Sequence, residues 1–143
     1  MTEVSFHFNV PHRLGYACRL LRKAARQGAK VAVVAPLATL EELDRALWSF
    51  DPIEFVPHVR IGSAPLAPHL LQTPVQLVDD ARRSTHHQVL LNLGDELVQG
   101  FEGFARLLEV VSADESERTA ARMRWKHYAS RGYSIERHEV APQ

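Results

Sequence analysis

The chain has 143 residues, of which 45% are apolar and 24% charged. That is the composition of one ordinary globular domain, and it argues against disorder, collagen-like repeats and a disulfide scaffold. Seventeen Lys and Arg balance seventeen Asp and Glu, so wrapping of duplex nucleic acid by the chain as a whole is disfavoured and only a local basic face is left open.

Val4-Ser5-Phe6-His7-Phe8 alternates between apolar and polar residues, the pattern of a half-buried strand. Pro11 and Gly28 then frame a helix with Leu14, Ala17, Leu20, Leu21 and Ala24 on one side. Arg19, Arg22, Lys23 and Arg26 take the other side. Lys30 to Ala35 is a β-branched run that suits a central strand covered on both faces. Thr39, with Glu42 three residues on, reads as a capping box opening a helix through Trp48. Strand, helix, strand, helix within fifty residues predicts a parallel α/β sheet with a right-handed crossover.

Pro52 to Pro74 holds five prolines and reads as a long connection with a brief extended piece at Phe55-Val56-Pro57. Further strands are expected at Val75 to Val78, Gln88 to Leu93 and Leu107 to Val111, with a short helix near Gly100 to Arg106. Asp114 starts a longer helix to about Arg131, Gly132 ends it, and Tyr133 to Val140 forms a last strand. No repeat or linker divides the chain, so residues 1–143 form one α/β domain of three layers around a mostly parallel sheet.

The loops offer little chemistry. Asn9 to Gly15 and Pro36 to Thr39 lack both glycine-rich phosphate fingerprints, which excludes an ordinary nucleotide cradle. Eight histidines form no H-E-x-x-H pattern, and adjacent His86 and His87 would point to opposite faces of a strand, so neither metal nor cofactor is expected. No G-x-S-x-G elbow is present, and Asp79-Asp80 reads as a polar strand terminus, so no catalytic residue is expected. Cys18 is the single cysteine, which excludes an intramolecular disulfide and fits a reducing compartment. With Glu3 so early and no run of ~20 apolar residues, neither a leader nor a membrane span is predicted, and the expected location is the cytoplasm.

Two surfaces stand out. Arg118, Arg122, Arg124, Lys126 and Arg131 lie in a stretch of the last helix without a carboxylate, and Arg118, Arg122, Trp125 and Lys126 are spaced to share one exposed stripe. Guanidinium groups beside an indole suit an acidic peptide with an apolar residue, or single-stranded nucleic acid. A solvated basic face opposite a core face would carry the same residues. Trp48, Phe50 and Phe55 fall within eight positions, and form either core beneath a loop or an exposed patch that docks a partner.

Several blocks together carry a resemblance. They are Val4 to Phe8, Gly28-Ala29-Lys30-Val31, Leu43 to Trp48, Phe55-Val56-Pro57-His58, the fourth-strand region, and Arg122 to Tyr128 through Gly132-Tyr133. In this order they cover nearly the whole chain and resemble the chi subunits of bacterial DNA polymerase III. The resemblance implies a nucleotide-binding-like fold without a nucleotide site, in a non-catalytic accessory subunit of the clamp-loader assembly used in DNA replication. It implies binding of the acidic, phenylalanine-ended C-terminal tail of single-stranded DNA-binding protein by Val111, Arg118, Arg122, Trp125 and Lys126. Contact with single-stranded DNA would then be indirect. It further implies docking of a psi subunit, in some bacteria, at the region of Trp48 and Phe55. Arg118 and Trp125 stand where Lys and Tyr are familiar, and Val59 to Thr73 matches poorly. The alternative is direct binding of single-stranded nucleic acid by the basic helix 114–131.

Overall fold

The computed structural model describes residues 1–49 and 55–140. Among these residues seven strands form one sheet in the order β3-β4-β2-β5-β6-β1-β7. They are β1 (Glu3–Val10), β2 (Val31–Val34), β3 (His58–Ile61), β4 (Val75–Val78), β5 (Val89–Asn92), β6 (Arg106–Ser112) and β7 (Ile135–Glu139). Every pairing is parallel. Three helices cover the sheet: α1 (Arg13–Arg26), α2 (Leu37–Ser49) and α3 (Glu115–Ser130). The fold is therefore three-layer α/β/α with an all-parallel sheet.

Side-chain alternation sorts the core into two layers. Val31 and Val33 of β2 join Ala17, Cys18 and Leu21 of α1 and Leu40, Leu43 and Leu47 of α2. Ala32, with Val4, Phe6 and Phe8 of β1 and Leu107 and Val111 of β6, joins Ala121 and Tyr128 of α3. α1 and α2 thus lie on one face of the sheet and α3 on the other. β2 sits between β4 and β5, an interior position that its unbroken apolar run requires.

The first strand departs from the half-buried expectation. β1 lies between β6 and β7, and Ser5 is buried as well as Phe6. Its polar residues face the α1 layer, where the Tyr16 hydroxyl meets His7 Nδ1 at 2.5 Å. Asn9 takes a left-handed φ of 59°, and the pairing with β6 shifts register between His7 and Val10. The irregularity turns Val10 into the α1-side core instead of the α3-side core of Phe6 and Phe8.

Three other expectations need correction. α2 starts at Leu37, so Thr39 lies inside the helix and not at its cap. Leu40 N–H donates to the Pro36 carbonyl at 3.0 Å, which closes the first turn before Thr39 is reached. The connection expected from Pro52 to Pro74 contains β3, paired residue for residue with β4 from His58 opposite Val75 to Ile61 opposite Val78. Phe55 to Pro57 itself is not a strand; pairing begins one residue later. A 3-10 turn at Pro68–Gln72 shortens the rest, and Phe50 and Pro52 lie outside the described residues. The short helix expected near Gly100 is a 3-10 turn at Phe101–Gly103.

Candidate functional site

α3 is set up at both ends by its sequence. The Asp114 carboxylate accepts from Glu117 N at 3.1 Å, an N-cap. Gly132, at φ 82°, lets the chain reverse, and Tyr133 N–H donates back to the Tyr128 carbonyl at 3.1 Å. Ala121, Arg124 and Tyr128 form its buried stripe.

Arg124 is the surprise in that stripe. It is only 4% exposed, so it is no part of the outer basic face. Its Nε lies 3.2 Å from both carboxylate oxygens of Glu109 on β6, and its Nη1 donates to the Asp95 carbonyl at 2.6 Å. Tyr128 Oη donates to Glu109 Oε2 at 2.6 Å, and Asn92 Nδ2 donates to Oε1 at 3.0 Å. Burial pushes the Glu109 carboxyl up, and the charge of Arg124 and the three donors oppose that push. Burial, then Glu109 itself, also pushes the Tyr128 hydroxyl up. A signal for this network was present: Glu109 lies two residues from both Leu107 and Val111 and so shares their strand face, which makes it face the core and need a buried cation.

The outer face carries the other four residues. Arg118, Arg122, Trp125 and Lys126 fall within an arc of about 100° at 3.6 residues per turn. Arg122 and Lys126 are exposed, whereas Arg118 and Trp125 are half-buried. Arg122 pairs loosely with Glu115 at 3.5 Å, both ends open to water. One side of the Trp125 ring rests on Phe6 and Phe8, with centroids 5.0 and 6.2 Å away. Val111 is 1% exposed, so it belongs to the core beneath this face and presents no surface. Arg137 of β7, which sequence reasoning missed, stacks over Phe8 at 4.5 Å and pairs with Glu139. Only the strand order, which puts β7 beside β1, brings it near the α3 layer.

The second surface is on the opposite layer. Trp48 at the end of α2 is 64% exposed and Phe55 is 50% exposed, and their rings lie 4.8 Å apart. His58 supports both, at 5.3 Å from Trp48 and 5.7 Å from Phe55. Its Nδ1 reaches the Val56 carbonyl at 2.7 Å and its Nε2 reaches Asp44 Oδ1 at 2.9 Å. Held between the Val56 carbonyl and the Asp44 carboxylate, the ring is fixed in angle. The result is an exposed apolar patch on a rigid base, as an interface requires.

A cleft of about 570 Å³ opens at the carboxyl ends of β2, β4 and β5, where parallel α/β folds place nucleotides. Here Asp79, Asp80, Asp95 and Glu96 line it with Arg82. Arg82 holds the Asp80 carboxyl down to about 2, so the carboxylate stays charged and would repel a phosphate. Among the described residues no group of three or more His, Cys, Asp or Glu is placed to hold a metal ion, and no helix is long and apolar enough to cross a membrane.

Comparison with known proteins agrees on one family. Residues 1–136 match the family model described as DNA polymerase III chi subunit, HolC. A DNA polymerase III subunit chi from Pseudomonas aeruginosa is 35% identical over 98% of both chains. One from Haemophilus influenzae is 31% identical over 87% of this chain and 85% of its own. One from Escherichia coli is 25% identical over 82% of this chain and 79% of its own. With a match over nearly its whole length, the chain belongs to the family of DNA polymerase III chi subunits, accessory subunits of the replication machinery.

Proposed function

We infer that the chain is a non-catalytic adaptor in the DNA polymerase III holoenzyme, linking the clamp-loader complex to single-stranded DNA-binding protein. The acidic C-terminal tail of that protein, ending in Phe, binds the outer face of α3. One observation carries this reading: Arg118, Arg122 and Lys126 surround a tryptophan whose outer side is still open to solvent. Tail carboxylates pair with the cations, and Arg can do so with two parallel bonds. Each surface pair is worth about 0–1 kcal/mol and fades with salt. The phenyl ring packs against the open side of Trp125, and full burial would be worth about 1.5–3 kcal/mol. Val111 shapes the floor from below. Trp48 and Phe55 dock a psi subunit on the opposite layer, so both partners can be held at once.

The test is calorimetric titration with a short acidic peptide ending in Phe. Removal of the terminal Phe is expected to weaken binding more than removal of any one Asp. Arg122→Ala is the cleaner variant, because Trp125 also packs on Phe6 and its loss would disturb the core. Wild-type affinity in Arg122→Ala and in Lys126→Ala would remove the site. The second reading, direct binding of single-stranded nucleic acid by residues 114–131, rests on the same cations beside an indole. Tighter binding of oligothymidine than of the peptide would favour it.

A further inference from the structure

The chain's neutrality conceals a strong local asymmetry. Residues 4–40 hold six of the seventeen Lys and Arg and none of the seventeen Asp and Glu. Arg13 is turned inward, donating to the carbonyls of Leu93 and Gly94. Arg19, Arg22, Lys23 and Arg26 stand on α1 at steps of three, one and three, so they share an arc of about 100°. Arg19, Lys23 and Arg26 are exposed. Cations in the last turn of a helix favour its C-terminal dipole, which accounts for Lys23 and Arg26, and Arg19 lies over the Tyr16 ring, 5.9 Å from its centroid.

We propose that this outer face of α1 is a second binding surface, for the phosphate backbone of duplex DNA. The contrast with α3 selects the partner. The α3 face has an indole among its cations, which a peptide needs as an anchor. The α1 stripe has no aromatic side chain free to stack. Its nearest ring, Tyr16, is half-buried with its hydroxyl on His7. A single strand is held largely by stacking of its bases, and this surface offers none. A duplex presents phosphates at close intervals and asks only for cations. The identity of the polyanion rests on the proposed function, since a subunit of a DNA polymerase works beside DNA. α1 and α3 lie on opposite faces of the sheet, so duplex and tail do not compete for space.

Fluorescence anisotropy of a labelled random-sequence duplex, titrated with the full chain between 20 and 150 mM salt, tests the proposal. With three to four phosphates contacted, log K should fall against log salt with a slope of roughly −3 to −4. Arg19→Gln with Lys23→Gln should weaken duplex binding at least fivefold at the lowest salt and lower the slope by about 2. Circular dichroism confirms the fold, and the pair should leave tail-peptide binding unchanged. Arg122→Ala should do the reverse, losing the peptide and keeping the duplex. No duplex binding at 20 mM salt, an unchanged slope in the α1 variant, or tighter binding of a single strand of equal length would each overturn the proposal. Failure of the peptide titration alone would count against the α3 site and leave the α1 surface standing.

Discussion

The two helical layers of this molecule both pack on apolar residues, but among the described residues only the α3 layer buries an ion pair within its packing. α1 and α2 pack through Ala17, Cys18, Leu21, Leu40, Leu43 and Leu47, an aliphatic layer whose attraction has no direction. α3 is fixed by Arg124 and Tyr128, both bonded to Glu109 deep in the sheet. A buried ion pair adds little net stability over a well-packed apolar pair, since desolvation offsets most of the attraction. Its hydrogen bonds, however, set angle and register. The helix that carries Arg118, Arg122, Trp125 and Lys126 is held by a fully buried set of such bonds, whereas those of α1 and α2, Tyr16 with His7 and Asp44 with His58, are only partly buried.

That difference can be broken from either side. The largest effect belongs to Arg124→Ala, which strands the Glu109 carboxylate without its cation and should cost about 3–5 kcal/mol in urea denaturation. Replacing the set together, with Glu109→Leu, Arg124→Met and Tyr128→Phe, should recover most of that loss, because no buried charge is left unpaired. If the recovered protein also binds the tail peptide as tightly as wild type, the network is not what orients the helix. On the other layer, Leu43→Ala removes a fully buried side chain and should cost about 2–5 kcal/mol. The two losses should add, since Leu43 of α2 and Arg124 of α3 lie on opposite faces of the sheet.

A smaller effect comes from pH. Burial first, then His138 and Arg106, lower His7 from 6.5 to about 4. The unfolded chain therefore takes up this proton before the folded chain does. The contribution of His7 is fully present above about 6.5 and is lost as pH falls from there towards 4. His7→Gln should flatten the denaturation midpoint across that window. The smallest effect concerns Glu115, whose exposed contact with Arg122 competes with any tail carboxylate. Glu115→Gln should change stability by no more than about 0.5 kcal/mol and tighten the tail peptide measurably in calorimetry.

Much of the fold was legible because strong periodic signals agreed with one another. The apolar run at Val31 to Val34 gave the interior strand, and Asp114 with Gly132 bracketed α3. β3 was hidden because His58-Val59-Arg60-Ile61 is four residues long, follows Pro57, and sits at the sheet edge where polar residues are tolerated. The capping box misled because the helix already begins at Leu37, two residues before Thr39, with its first turn closed on the Pro36 carbonyl. At the candidate site, spacing along α3 was enough to group its outer residues. It could not show that Arg124 turns inward, because its partner Glu109 is fifteen residues away on a strand. Nor could it bring Arg137 beside Phe8, a neighbour only through the sheet order.

On the proposed function, the acidic tail meets the outer face of α3. Backbone amide chemical shifts of the full chain, recorded while the Phe-ended peptide is added, address it directly. The largest changes should fall on Arg118, Arg122, Trp125 and Lys126, with smaller ones at Phe8 and Arg137. The amides of α1 and of Trp48 and Phe55 should stay still. Changes concentrated at Trp48 and Phe55 or along α1, with α3 unmoved, would contradict it.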